Sequence, residues 1–286
     1  MRILSVCANS LNRTARTCVL ACAMLAPMKA AKDTPKELPK VCIEYFHTVK
    51  KVLPEPKLKV LTDTNFLGGI VQRYDDKSVE VIKSRILKQV SVADYVLPIA
   101  NAKNVYLEKF GMYMANRPQG KRTRPHLGLD IFVSPYSRKP ATPVVIRTPI
   151  DGIVISRKTA RPNDNLIANT VTILGIDGRR YAFDHLARPE DYPNPVELPK
   201  LGAALKKGDK IGYVGSTGET TLWHLHFVVM TDEKLAEQQS SKFWREFAAQ
   251  SNYTTLKGQV DPLDEKEAGP IAKLLKKYRG SLVVTK

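Results

Sequence analysis

The apolar positions of this chain follow two rhythms. In the first part Val79, Ile82, Ile86 and Val90 recur at the spacing of one helix face, with Lys83, Arg85 and Lys88 elsewhere, which predicts an amphipathic helix over about 78–92. Pro98 ends that pattern, and VCIEYFHTVKK around His47 reads as a further helix. From residue 126 the texture changes to short apolar runs broken by turn residues: HLGLDIFV, TPVVIRTPIDGIVISRK, NTVTILGIDGRRYAFDHL, GDKIGYVGSTG and LWHLHFVVM. In TILGIDGRRYAF two β-rich runs flank Asp177-Gly178, predicting a hairpin with a two-residue type I′ turn. Several strands without long intervening helices indicate an antiparallel sheet. Helical patterns return around Lys242 to Gln250 and Ile271 to Tyr278, separated by a loop ending VDPLDEKEAGP. The expected fold is α+β overall: a mainly β domain, a mixed or helical region before it and helices after it.

These rhythms divide the chain into a leader (1–31), an N-terminal region (32–119), a β domain (120–235) and a helical extension (236–286). KDTPKELPK reads as a linker after the leader, and NRPQGKRTRP at 116–125 as the connector into the β domain. The leader holds Arg2, Arg13, Arg16 and Lys29, no acidic residue, and the short apolar run TCVLACAMLAPM. That is the layout of a secretory signal, so export to the periplasm or cell envelope is expected. Lys29 weakens the cleavage site, and Val19-Leu20-Ala21-Cys22 offers a lipidation box with Arg16 close to its cysteine, so a cleaved, a lipidated and a retained leader all stay open. Cys7, Cys18 and Cys22 lie in the leader, leaving Cys42 as the one cysteine of a processed chain. A disulfide scaffold and a cysteine-based zinc site are thereby excluded.

The 43% hydrophobic and 26% charged fractions are those of a globular protein. The net charge of +17 raises the question of acidic partners, but it is spread as +4, +5, +5 and +3 over 1–31, 32–120, 121–235 and 236–286. No nucleic-acid-binding motif accompanies the short clusters KRTR and KLLKKYR, so nucleic acid is not an expected partner. The +13 that remains without the leader suits general affinity for an anionic envelope.

Histidine is the sharper number. Four of five fall in the β region: His126 with Asp130 in H-L-G-L-D, His185 in F-D-H-L, and His224 with His226 in H-L-H-F. Residues i and i+2 of a strand share a face, so His224 and His226 can point into one site. Strand pairing can bring His126, Asp130 and His226 together, and two neutral imidazoles plus a carboxylate, with water as fourth ligand, form a catalytic zinc arrangement. Zinc lowers the pKa of bound water toward ~7. An imidazole can then take its proton and another can hydrogen-bond an oxyanion, roles for which His185 and His224 are placed. H-E-x-x-H is absent, which excludes a thermolysin-type site. His47 has no partner and reads as structural.

With these motifs in view, residues 120–232 resemble the LytM/lysostaphin-type M23 zinc metallopeptidases. The resemblance rests on the ordered set PHLGLDIF, TPVVIRTPIDGIVISRK, DHL, LKKGDKIGYVGSTGETT and HLHFVV. It implies a β-sheet cleft over one Zn2+ ion held by His126, Asp130 and His226, with His185 and His224 catalytic, acting on peptide cross-links of bacterial peptidoglycan. The chain departs from the family at Phe183, where Tyr is usual and Tyr181 stands further back. It also departs at Trp223 before His224, at Val228 after H-L-H-F, and in the insertion ARPEDYPNPVELPKLGA. These departures are expected to alter the walls of the cleft and so bear on cross-link specificity.

The expected activity is zinc-dependent endopeptidase cleavage of those cross-links, with peripheral or lipid-anchored membrane association. The alternative is a non-catalytic LytM-type activator of a cell-wall amidase, against which all five filled positions count. Which of His185 and His224 is the base stays open. So does the role of 32–119: wall binding, partner binding, or a segment covering the cleft until activation. An upstream Asn is the fourth zinc ligand in some family members, which makes Asn101, Asn104 and Asn116 candidates.

Overall fold

The computed structural model describes residues 57–64, 70–99, 105–108, 111–113, 115–119, 122–133, 138–160, 167–194, 197–232 and 258–279. All lie in the compact unit Pro56–Lys286. The predicted leader, Cys42, His47, Asn101, Asn104 and the helix expected at 242–250 lie outside the described residues.

The strands, in chain order, are β1 (Val60–Thr64), β2 (Ile70–Tyr74), β3 (Tyr106–Leu107), β4 (Asn116–Gln119), β5 (Arg122–Pro125), β6 (Leu129–Phe132) and β7 (Val145–Arg147), followed by β8 (Gly152–Thr159), β9 (Asn169–Gly175), β10 (Arg180–Leu186), β11 (Ala204–Leu205), β12 (Lys210–Tyr213), β13 (His224–Met230) and β14 (Gln259–Val260). Helices α1 (Asp76–Ile86) and α2 (Pro270–Arg279) join them. The main sheet runs β1-β2-β8-β9-β10-β13-β6-β3, with β11 added to β8 and β14 to β13. Its pairings are antiparallel throughout. The protein is thus mostly antiparallel sheet with few helices. Strands on both sides of residue 120 share this sheet, and α2 buries Ile271, Ala272, Leu275 and Tyr278 in the core beneath it.

Alternation along the central strands sorts the two faces. Leu129 and Ile131 of β6, Tyr181 and Phe183 of β10, and Leu225, Phe227 and Val229 of β13 are fully buried in one core. Burying each contributes about 1.5–3 kcal/mol. The residues between them, Asp130, His224 and His226, face the other side. A slip of one residue would exchange His226 for Phe227, so the apolar stripe fixes the register that builds the polar face. Farther along the sheet α1 lays Val79 and Ile82 on Ile155 and Leu174.

Several local expectations are corrected. The helix expected over 78–92 runs from Asp76 to Ile86, started by Asp75, whose Oδ1 accepts the Ser78 N–H at 2.8 Å. It ends because Leu87 turns extended and the Lys88 N–H bonds the Ile176 carbonyl at 2.6 Å. Val90 still packs on the core, but as irregular chain. The hairpin at Asp177-Gly178 exists, but Gly178 alone has positive φ (+80°), and its N–H bonds Gly175 O at 2.9 Å. A three-residue loop, Ile176 to Gly178, therefore replaces the type I′ turn. Asp177 is held by its carboxylate, which accepts from Tyr95 and Tyr181 hydroxyls at 2.7 and 2.6 Å. The expected connector 116–125 is a hairpin too, β4 pairing β5 from Asn116↔Pro125 to Gln119↔Arg122, because backbone ladder bonds do not require apolar side chains. Among the described residues no helix is long and apolar enough to cross a membrane.

Candidate metal centre

His226 is the hinge of the site. It stands at the middle of β13 and pairs with Asp130 of β6 on one side and Asp184 of β10 on the other. Directly paired residues share a face, so the His226 and Asp130 side chains meet: His226 Nδ1 lies 2.8 Å from Asp130 Oδ1. His126 enters from just ahead of β6, where the β4–β5 hairpin delivers it and its N–H bonds Ala115 O at 2.9 Å. Its Nε2 lies 2.9 Å from His226 Nδ1 and 3.1 Å from Asp130 Oδ1. These three side chains form the one cluster of histidine, cysteine and carboxylate donors of metal-site geometry found among the described residues.

His224 and His185 flank the cluster. His224 Nε2 is 3.4 Å from Asp130 Oδ1, and its ring stacks on Phe132, itself stacked on Tyr106. His185 reaches the same face by a different device. The ladder between β9 and β10 shifts register between Phe183 and Leu186, and His185 takes φ +62°, rare for a residue with a side chain. By simple alternation Asp184 shares the face of His226 and His185 would return to the core face with Phe183; the bulge turns it back. Its ring centre lies 4.7 Å from that of His224 and 5.8 Å from that of His226. Such strain persists where surrounding structure over-determines it.

Backbone carbonyls set the tautomers. Nδ1 of His126 donates to Met112 O at 3.0 Å, Nδ1 of His224 to Leu222 O at 2.9 Å, and Nδ1 of His185 to Thr217 O at 2.6 Å. A carbonyl can only accept, so each of these rings carries a proton on Nδ1, and in its neutral form it presents a lone pair at Nε2. Burial pushes the Asp130 carboxyl up, but the imidazoles of His224, His126 and His226 together outweigh it and hold the group well below the usual carboxylate range. Asp130 is thus a buried anion. Desolvation first, then the His224 and His226 rings, hold His185 well below the usual imidazole range, keeping it neutral.

The donor chemistry tests which group fits. A carboxylate oxygen and two imidazole nitrogens converge within 2.8–3.1 Å, an arrangement of lone pairs that a shared positive centre must satisfy. Tetrahedral bonds of roughly 2.0–2.1 Å place neighbouring ligand atoms about 3.3 Å apart, close to these edges. Two imidazoles and a carboxylate suit Zn2+. The residues present therefore fit the ion.

Gly128, Met112 and Thr217 belong to the site without having stood out in the sequence. A Cβ on Gly128 would stand 2.6 Å from His226 Cε1, so the central glycine of H-L-G-L-D leaves room for the imidazole. The carbonyls of Met112 and Thr217 have no signature, since any residue supplies one. Two of the departures from the expected motifs come together: Trp223 packs edge-on against Tyr192 of the insertion, and the Lys139 ammonium sits over both rings while bonding Asp191 O. Phe183 and Tyr181 prove to be core residues, so they do not shape the cleft wall as expected.

Fold and site together define an antiparallel β domain with a histidine–carboxylate centre suited to a metal ion. Residues 124–238 match the sequence model of Peptidase family M23. Among solved structures, the catalytic domain of lysostaphin from Staphylococcus simulans is 26% identical, with 49% of this chain and 82% of that one covered and a TM-score of 0.30. LytU is 27% identical, with 42% and 70% covered and a TM-score of 0.29. A zinc containing peptidase from Vibrio cholerae is 22% identical, with 59% and 43% covered and a TM-score of 0.34. No curated protein matches the chain.

Proposed function

We propose that this protein is a zinc-dependent endopeptidase that hydrolyses peptide cross-links of bacterial peptidoglycan, working in the periplasm or cell envelope with peripheral or lipid-anchored membrane contact. The carrying observation is the convergence of His126 Nε2, Asp130 Oδ1 and His226 Nδ1 within 2.8–3.1 Å beside two further imidazoles. In this reading those three atoms hold one Zn2+ ion. When bound, the ion supplies Lewis acidity, polarising a carbonyl and lowering the pKa of water toward ~7. His185 and His224 manage protons. Each holds its own proton on Nδ1 against a carbonyl and offers a bare Nε2, so either can accept a proton from water. The Nε2 that has accepted becomes an N–H donor, able to bond an oxyanion or protonate the leaving amine. The family match supports peptide hydrolysis; the cross-link substrate rests on the motif resemblance.

The test is digestion of defined cross-linked muropeptides by the purified full chain, with products identified by mass and zinc measured on the same sample. His226→Ala is expected to lose zinc and activity together, and His224→Ala to keep zinc and lose turnover. Undiminished cleavage by both variants overturns the assignment. A chain without stoichiometric zinc and without cleavage would favour the non-catalytic amidase activator.

A further inference from the structure

The resting tautomer of His185 depends on one carbonyl, that of Thr217, and the Thr217 side chain is tied into the same bulge. Thr217 is 1% exposed. Its hydroxyl donates to Leu186 O at 2.8 Å, one residue beyond His185, and accepts from the Asn169 N–H at 2.9 Å, at the start of β9. The Asn169 side chain continues the stitch, accepting the Ala160 N–H at 2.7 Å and donating to Ala187 O at 3.3 Å. The loop can approach this closely because Gly215 lies against Ala187, where a side chain would overlap the backbone. Main chain and side chain of one residue thus grip the two sides of the strained position: the carbonyl holds the ring, the hydroxyl holds the peptide that follows.

We infer that Thr217 is a positioning residue for His185, setting the Nδ1–H tautomer and the aim of Nε2 through its hydroxyl anchor. The inference rests on the proposed role of His185, but its central claim concerns ring state and is measurable without turnover. Without the hydroxyl, Leu186 O and the Asn169 N–H are buried without their partner, the 215–218 loop shifts, and the 2.6 Å bond to His185 is no longer enforced.

Two substitutions in the full chain, loaded with zinc, separate positioning from packing. Thr217→Val keeps the volume and loses the hydroxyl; Thr217→Ser keeps the hydroxyl and loses a methyl. Positioning predicts that Ser retains the Nδ1–H signature of His185 in long-range 1H–15N NMR spectra, whereas Val gives mixed tautomers. On cross-linked muropeptide, Val is expected to lower kcat tenfold or more, up to the roughly 10²–10⁴-fold that an acid–base group contributes in full, with KM and zinc content unchanged. Packing predicts the reverse order, with Val near wild type and Ser impaired. An unchanged His185 signature in Val, or a Ser variant that loses the signature, overturns the inference. If Val does not fold, the Ser variant alone decides. Loss of the tautomer signature in Val from a chain that cleaves no muropeptide would support Thr217 positioning while the endopeptidase reading fails.

Discussion

The carbonyl oxygen of Met112 accepts the Nδ1–H of His126 at 3.0 Å, which ties a segment from ahead of the matched domain to a metal-ligand candidate inside it. The same segment places Gly111 so close to Asp130 that an added Cβ would stand 2.9 Å from its Cβ. It also supplies β3, whose Tyr106 backs Phe132 and through it His224. A chain beginning at residue 120 should therefore bind zinc more weakly, by the roughly 10–100-fold typical of losing an outer partner of a ligand, and should lose β1, β2 and β3 from the sheet. Competition with a zinc chelator measures this. Equal affinity and higher activity in the shortened chain would instead support a segment that covers the cleft until activation.

Gly128→Ala isolates the seat of His226. No unusual φ is involved, so the effect comes from the methyl group that would press on Cε1 and Nε2 of the ring. The ring must move from Asp130 and His126, and zinc affinity is expected to fall about 10–100-fold. Unfolding of the metal-free variant should shift by no more than the roughly 1–3 kcal/mol that overpacking costs. Calorimetric zinc titration of both proteins checks the first value, and unchanged affinity would show that the ring does not need the space.

What was legible in the sequence followed from strand alternation. H-L-H places two histidines on one face and Leu225 on the other, and H-x-x-x-D places Asp130 on a strand between Leu129 and Ile131, so alternation alone groups the donors on one face. His185 is the exception. Its place depends on a bulge and a φ of +62°, and D-H-L carries no glycine or other mark of that conformation. The 116–125 hairpin was hidden for a related reason: its charged and proline-rich residues pair through backbone atoms, which composition does not display. The carbonyls of Met112, Leu222 and Thr217, which set three tautomers, are invisible to any reading by residue type.

Tyr278 anchors α2 beneath the sheet. Its hydroxyl donates to Ile99 O at 2.6 Å and accepts the Ile99 N–H at 3.0 Å, in a fully buried setting. Tyr278→Phe keeps the ring and leaves both backbone groups without that partner, a loss of about 1–3 kcal/mol of stability. Urea unfolding at neutral pH measures it. A change within about 0.5 kcal/mol would mean that the Ile99 backbone finds other partners.

The same phenol also sets part of the alkaline limit. Burial pushes Tyr278 up from its ordinary value of 10.0. Tyr95 and Tyr181, both donating to the Asp177 carboxylate, are raised by burial and then by that neighbouring charge. A phenol whose folded pKa is raised favours the fold in its neutral form. Its contribution is complete below pH about 10 and is lost as pH rises from there through the folded value. In that window each phenol is expected to steepen the fall of stability by roughly 1.4 kcal/mol per pH unit. Stability measured by urea unfolding from pH 8 to 11 should stay flat with respect to these groups and then drop above about 10. Tyr278→Phe removes one of the three from that limb, so its curve should start lower and fall less steeply. Parallel curves above pH 10 would mean that the Tyr278 phenol ionises as readily in the folded protein as in the unfolded chain.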